Sequence, residues 1–276
     1  MRLRIAHEIV ARWDPPCTGA IRKLRMTPRT YESQYVGTWR IDVDQDCRLD
    51  RTQDAYGNVV HNFSLGGPLA SLSILATGEV EVDDTAGVLH ASVRERLPPG
   101  LYLRPTALTE PDEAIRALAG KIGGNAADPL DTCHRLKSLL HEFVDHRDAE
   151  AGACVGTDCR TAAAVLASAS GDAVDVAHLF VATARVLGVP ARVVTGYLFR
   201  GDRRDAGAAD HAWAEAHVAG LGWVGFDAPN DRCPTDAYVR ISASLDRLGA
   251  SFLRGADHGG TVAGVTSQAM ITQADI

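Results

Sequence analysis

Two segments near the end of the chain carry side chains of the kind that activate a nucleophile. The segments "HAWAEAHVA" and "GWVGFDA" alternate in polarity as strands do, and Gly220-Leu221-Gly222 supplies a tight connection between them. With the turn at 219–220, the predicted antiparallel pairs are His211 with Asp227, Trp213 with Gly225 and Glu215 with Trp223, all on one face. A histidine beside an aspartate is the base and orienting group of a nucleophilic triad.

The third member of such a triad is expected at the start of a helix. The stretch "GDAVDVAHLFVATARVLGVP" predicts a helix that begins near Asp172 and ends before Gly188. The partial positive charge of a helix N-terminus favours a thiolate, and Gly171 allows a tight turn and close approach of substrate. The residue at this place is Ala173, which has no atom that could attack a substrate.

The elements that must position these residues change in type along the chain. From residue 1 to about 95 the segments are short, alternate with period two and are separated by turn signals, which predicts an all-β module at 1–97. After "LPPG", apolar residues recur at helical spacing in "EPDEAIRALAGKI" and "DPLDTCHRLKSLLHEFVDHR", and a third helix is expected over 158–169, capped by Thr157 or Asp158. Strands then return, so residues 98–276 are predicted to form an α+β domain with helices packed on an antiparallel sheet.

Composition bounds the possible partners and the compartment. The chain has 276 residues and a formal charge of −7 without a cluster of Lys or Arg, which argues against nucleic acid or an anionic membrane as partner. We find neither a signal peptide nor an apolar run long enough to cross a bilayer, so we expect a cytoplasmic protein. The six cysteines show no CxxC pair and are expected to be reduced thiols.

The motifs "GDAVDVAHLFVATARVLGVPARVVTGYLF", "HAWAEAHVAGLGWVGFDAPN" and "CPTDAYVRI" together resemble the bacterial transglutaminase-like (papain-like) cysteine protease superfamily. The segments "LRMTPR", "DAYGNVVHNFS" and "EVEVDDTAGVL" resemble the β domain that precedes the catalytic domain in one bacterial branch. The resemblance implies that Ala173 lies at the nucleophile position, with His211 as general base and Asp227 as orienting carboxylate. It also implies a peptide or protein substrate, amide-bond chemistry through an acyl-thioester, and no metal or organic cofactor.

The resemblance leaves two explanations of Ala173 open. One is an enzyme disarmed by replacing a native cysteine with alanine, and the other is a natural pseudoenzyme that binds peptides or a protein partner without turnover. Either way the chain as written is expected to be inactive. The retained histidine, tryptophan and aspartate favour the first explanation. Substrate identity, hydrolysis against transamidation, and the oligomeric state stay open.

Other residues near these motifs have simpler interpretations. Trp213 is expected as a core or cleft-wall aromatic, and Tyr197 as a possible wall of the substrate site. Glu215 is expected near the cleft or its rim without a chemical role, and Asp175 with His178 as a surface or capping pair. Cys154 and Cys159 precede the helix in a different segment, which makes either a poor substitute for the nucleophile.

Overall fold

The first sheet of the protein is antiparallel and draws on both ends of the chain. The computed structural model describes residues 1–89, 95–122, 128–147, 159–201 and 210–274. The strands of this sheet are β1 (Arg2–Thr27), β2 (Gln34–Val43), β3 (Asp50–Gln53), β4 (Val59–Val82), β12 (Leu253–His258) and β13 (Val262–Gln273). In the described residues their order is β12-β1-β4-β2, with β13 also on β1 and β3 also on β4.

The two central strands of this sheet are longer than the sequence predicts. The sequence pattern predicts separate short strands at 2–10 and 20–28, which the structure joins into β1. It likewise predicts short strands within 59–65 and 69–84, which the structure largely joins into β4. The prolines between them lie where the β1–β4 register shifts, between Arg12 and Gly19, rather than in turns. Such irregularities accept a proline because the ladder there does not need its N–H group.

The second sheet lies under the helices and contains the predicted hairpin. Its strands are β5 (Val88–Leu89), β8 (Ala191–Leu198), β9 (Asp210–Val218), β10 (Gly222–Phe226) and β11 (Tyr238–Ser244). Their order among the described residues is β11-β8-β9-β10-β5, with antiparallel neighbours throughout. β6 (Asp145–His146) and β7 (Ser170–Gly171) form a short parallel pair, and β7 directly precedes the helix that begins at Ala173.

The sheets therefore do not divide at the predicted boundary between residues 97 and 98. β12 and β13, from the predicted second domain, pair with β1, while β5, from the predicted first module, pairs with β10. The division of the chain at 97 stays a prediction about domains, but the two sheets exchange strands across it.

The helices are α1 (Glu113–Ile122), α2 (Pro129–Phe143), α3 (Ala162–Ser168), α4 (Ala173–Val186) and α5 (Arg247–Ala250), with a 3-10 turn at Pro99–Leu103. The periodic segments predicted α1, α2 and α4. α3 begins later than predicted, with Thr161 as its N-cap, and Thr157 and Asp158 lie outside the described residues. None of the helices in the described part of the chain has the length and apolarity that crossing a membrane requires.

Helix α4 is buried and packs against one face of strand β9. Ala173 to Arg185 are all buried, and Phe180 stacks on Phe226 with ring centroids 5.3 Å apart. α4 shares one core with Ala214 and Ala216 of β9, so the alternate side chains of this strand point away from the helix. Trp213 and Glu215 therefore lie on the face opposite α4, where the Gln34 side chain bonds the backbone of Arg240. His211, at the start of β9, borders a cavity that the first residues of α4 also line.

The predicted register of the β9–β10 hairpin is wrong by two residues. Trp223 faces His217 and Gly225 faces Glu215, because the connection consists of the three residues 219–221 and is centred on Gly220, whereas the predicted pairs are centred on residue 219. Gly220 and Gly222 have positive φ angles of 85° and 93°, which the connection requires. A shift of two residues preserves the side-chain alternation, so His211, Trp213 and Glu215 remain on the face predicted for them.

Candidate active site

Helix α4 begins at the residue predicted to hold the nucleophile, and a capping box fixes its start. The Asp172 carboxylate accepts the Asp175 N–H at 2.8 Å, and the Asp175 carboxylate accepts the Asp172 N–H at 3.4 Å. Ala173 follows as the first helical residue and is 9% exposed. The sequence signal for a helix start near Asp172 is thus confirmed.

Gly171 serves the internal packing of this helix start. A Cβ atom at this position would come within 2.7 Å of the Asp175 Cβ atom, which real side chains do not tolerate. Any larger residue would therefore displace one half of the capping box. The proposed role of Gly171 in admitting substrate stays a prediction, and the structure gives an independent reason for the glycine.

His211 and Asp227 form the predicted hydrogen bond. His211 Nε2 donates to Asp227 Oδ2 at 2.7 Å, and both side chains are buried. In the observed register Trp213 would stand opposite Asp227, so the histidine reaches the carboxylate diagonally, a distance that a long side chain spans. The hydrogen bond is confirmed although the register that predicted it is not.

Two further donors hold the Asp227 carboxylate. Tyr238 donates its hydroxyl to Oδ2 at 2.6 Å, and Asn230 donates its side-chain amide to Oδ2 at 2.7 Å. Burial alone would raise the pKa of Asp227, but His211, Tyr238 and Asn230 outweigh it and hold the pKa below its usual value. The carboxylate is therefore ionised at neutral pH and fixed in orientation. Sequence reasoning missed both donors, which follow Asp227 by three and eleven residues in a loop and the next strand.

Ala173 and His211 line the same small cavity. The other lining residues include Thr195, Arg247 and Phe252, with Asp172 and Asp210 at its charged side. Asp227 does not line the cavity but lies behind the imidazole. The structure thus brings together the three positions that the sequence assigned to one site.

Trp213 packs against the imidazole from the same strand. The His211 and Trp213 rings are stacked with centroids 6.3 Å apart, and Trp213 meets Tyr238 edge to face at 5.5 Å. Gly196 on β8 makes room for the indole, since a Cβ atom there would lie 2.9 Å from its ring. Trp213 is buried and outside the lining of the cavity, so it supports the His211–Asp227 pair by packing.

Tyr197 is a core residue, and its predicted place in the substrate wall is wrong. Its side chain is fully buried, its hydroxyl bonds His7 Nδ1 at 2.9 Å, and its ring stacks on Phe252 at 5.4 Å. Phe252, whose segment the sequence left unassigned, is the aromatic that reaches the cavity. The error arises because β8 turns its end toward the first sheet, whose core includes both Tyr197 and Phe252.

Glu215 is buried in an ionic cluster rather than exposed at a cleft rim. It bonds Arg192 at 2.6 Å and Arg240 at 2.7 Å, and the Arg192 guanidinium lies 3.8 Å from the centre of the Trp223 ring. Burial alone would raise the pKa of Glu215, but Arg240 and Arg192 lower it to about 2. No local signal could show this, because the three charges come from β8, β9 and β11.

Asp175 and His178 are buried, so the surface prediction is wrong, and capping holds for Asp175 alone, which pairs with Asp172 rather than with His178. Burial, together with the charge of Asp172, raises the pKa of Asp175 to about 6. Burial lowers the pKa of His178 to about 4, and its Nε2 accepts the Arg247 N–H at 3.0 Å. His178 is therefore neutral at pH 7 and ties α5 to α4.

Among the described residues, the remaining candidates give no alternative nucleophile or metal site. Cys154 lies outside the described residues, and burial raises the pKa of the Cys159 thiol, the opposite of what an activated thiol needs. Over the ranges that the structure describes, no group of three or more histidine, cysteine, aspartate or glutamate side chains is arranged to hold a metal ion.

Two family models and two curated relatives match this chain. Residues 116–228 match the transglutaminase-like superfamily core, and residues 3–81 match the bacterial transglutaminase-like N-terminal region. The uncharacterized protein ML0607 of Mycobacterium leprae is 26% identical over 270 residues, which cover 92% of each protein. The uncharacterized protein Rv2569c of Mycobacterium tuberculosis is 26% identical over 292 residues, which cover 92% of this chain and 87% of that protein.

A solved structure shares the whole fold. The crystal structure of a candidate cysteine protease from Cytophaga hutchinsonii aligns with a TM-score of 0.76 at 18% identity, covering 100% of this chain and 92% of that one. At this identity the likeness concerns the arrangement of the sheets and helices. It includes the N-terminal sheet as well as the helices around the cavity.

Proposed function

Because the chain belongs to the transglutaminase-like superfamily, we propose that its cavity is the acyl-transfer site of a cysteine hydrolase of peptide or side-chain amides, with Ala173 at the nucleophile position. One observation carries the proposal. The first residue of a capped, buried helix shares a cavity with a histidine whose Nε2 is committed to a buried, ionised aspartate. A chance His–Asp pair would not need a helix N-terminus beside it.

The geometry assigns each residue a role once a thiol occupies position 173. A thiolate there attacks the amide carbonyl carbon, and the oxygen takes the negative charge. The early N–H groups of α4 lack partners within the helix and are placed to stabilise that charge, although Asp172 already takes the Asp175 N–H. Because His211 Nε2 donates to Asp227, Nδ1 is the ring nitrogen left to exchange a proton with the thiol.

The reaction then runs in two balanced steps. The C–N bond breaks as His211 gives its proton to the leaving amine, and an acyl-thioester remains on residue 173. Water attacks that thioester, His211 takes its proton, and the acid and the thiol are released. Asp227 stays ionised throughout and stabilises the imidazolium form of His211.

Ala173 itself has two explanations, and we favour the disarmed enzyme. The Asp227 carboxylate keeps three side-chain donors, His211, Tyr238 and Asn230, and a protein that only binds peptides has no evident use for so constrained a carboxylate. The second candidate is a natural pseudoenzyme that holds a peptide in the cavity. A cysteine codon at position 173 in the native gene decides for the first explanation, and an alanine codon for the second.

Turnover by restored variants tests the proposed chemistry. Ala173→Cys is expected to hydrolyse members of a panel of peptide and glutamine-side-chain amides that the parent chain leaves intact. Adding His211→Ala should abolish turnover, and adding Asp227→Asn should reduce it by about 10⁴-fold. Cys159→Ser in the same background is the matched control and should leave turnover unchanged. No turnover with any amide, in a correctly folded Ala173→Cys protein, contradicts the hydrolase.

We also propose a peptide or protein as the substrate and a cytoplasmic location, without a nucleic acid or membrane partner. The formal charge of −7 supports the exclusion of nucleic acid and membrane partners, because polyanions and anionic bilayers repel an acidic protein. Fractionation of cells that express the native gene tests the compartment.

A further inference from the structure

A groove in the first sheet, remote in sequence from the triad positions, combines positive charge with apolar walls. Its volume is about 760 Å³, and it lies between β2, β3 and the chain that follows β1. Its charged lining residues are Arg29, Arg40 and Arg51, with His61 beside them, and none of its lining residues is a carboxylate. In a chain with a formal charge of −7, such a concentration of positive charge stands out.

Two of these arginines have no ionic partner inside the described part of the protein. Arg29 is half-buried and Arg51 exposed, and no carboxylate lies within ion-pair distance of either guanidinium among the described residues. The contrast with Arg25 on the same stretch of chain is direct, since Arg25 bonds Asp54 at 2.9 Å. A half-buried guanidinium loses part of its hydration and gains most from an anion that restores its hydrogen bonds.

Two side chains that line the groove, Trp39 and His61, turn a polar atom inward. Trp39 Nε1 and His61 Nδ1 are buried atoms, and neither has a hydrogen-bond partner in the described structure. Both atoms are shielded from solvent, so neither is open to a ligand in the groove, and the contacts to such a ligand fall to Arg29 and Arg51.

We propose that this groove binds an acidic segment of a polypeptide, with carboxylates on Arg29 and Arg51 and apolar side chains on the walls. The walls are lined by Val36, Ile41, Leu49 and Val59, which suit the side chains of a peptide and offer nothing to a sugar-phosphate backbone. Guanidinium groups bind carboxylates through paired hydrogen bonds. This inference does not rest on the proposed function, since binding here needs no nucleophile.

Fluorescence anisotropy with the full chain tests the groove. The probe is a fluorescein-labelled nonapeptide with four glutamates among leucine and glycine, and its counterpart carries glutamine in place of glutamate. The acidic peptide should bind and the glutamine peptide should not. Arg29→Gln and Arg51→Gln should each weaken binding by about fivefold or more, since each removes one charged contact.

Arg48→Gln is the matched control. Arg48 is an exposed arginine three residues from Arg51, is paired with Asp50 and does not line the groove, so its loss should change binding less than about twofold. Failure of the acidic peptide to bind the unaltered chain overturns the proposal, and so does an equal loss with Arg48→Gln and Arg51→Gln. A fluorescein-labelled oligouridylate that binds more tightly than the peptide and responds to the same variants overturns the choice of ligand. Circular dichroism verifies that each variant is folded.

Discussion

Strand β9 and its neighbours hold two buried carboxylates in opposite ways. Glu215 lies between Arg192 and Arg240, two cations that do not lose their charge near neutral pH. Asp227 receives hydrogen bonds from His211, Tyr238 and Asn230, of which only the histidine can carry a positive charge. The Glu215 cluster is therefore electrostatically fixed and ties three strands together. The Asp227 cluster instead orients an imidazole that faces the cavity and stabilises its positive charge.

This comparison predicts that the Glu215 cluster matters most for stability. Glu215→Gln leaves the buried Arg240 without its carboxylate partner and Arg192 with Glu95 alone, and should lower the free energy of unfolding by about 3–5 kcal/mol. Urea unfolding at pH 7 measures the loss. Asp131→Asn, which removes an exposed partner of Arg135, should cost less than about 0.5 kcal/mol. Equal losses in the two variants would show that the Glu215 cluster is not a buried ionic anchor.

Asp227→Asn should cost less, about 2 kcal/mol, because His211 can become neutral while the arginines cannot. The pKa of Asp227 is held below its usual value, so its carboxylate stabilises the fold above pH 4 and loses that effect as the pH falls through the native pKa. The difference between the parent chain and Asp227→Asn in urea should therefore shrink toward pH 3. A difference that grows with acid would contradict the assigned charge state.

Asp175 extends the comparison to a carboxylate whose environment disfavours its charge. Its pKa is raised to about 6, so the folded protein binds a proton that the unfolded chain has lost, and stability falls as the pH rises from about 4 to about 6. Asp175→Asn removes this loss and should make the protein about 1 kcal/mol more stable than the parent at pH 7.5. Thermal unfolding at pH 4.5 and 7.5 measures both values, and a variant less stable at pH 7.5 would show that the cap outweighs the charge.

The two clusters also show what a single sequence can predict. Helices α1, α2 and α4 carry their signals locally, in the spacing of apolar residues and in caps such as Asp172, and were predicted close to their observed bounds. The hairpin pairing predicts the His211–Asp227 bond. The bond survives a register error of two residues because such a shift leaves the side-chain alternation unchanged. The position and length of the connection between β9 and β10 decide that register. Glycines at positions 220 and 222 are compatible with a two-residue or a three-residue connection, so the sequence does not choose between them.

The errors concern contacts between distant segments. Glu215 and Tyr197 were misplaced because Arg240, Arg192 and His7, which explain their burial, lie on other strands. β12 and β13 pair with β1 and so join the two ends of the chain. The local sequence pattern of a strand does not identify the strand with which it pairs. Tyr238 and Asn230 were missed as supports of Asp227 for the same reason.

The most direct test of the account is the pH dependence of thiol alkylation in Ala173→Cys. The helix N-terminus and a protonated His211 should lower the pKa of the new thiol, whereas the carboxylates of Asp172 and Asp175 limit the shift. Iodoacetamide labelling, read at each cysteine by mass spectrometry, should modify residue 173 at pH 6, where Cys159 reacts slowly because burial raises its pKa. Adding His211→Ala should remove the advantage. A residue 173 that labels no faster than Cys159 at any pH would show that this cavity is not a nucleophile site.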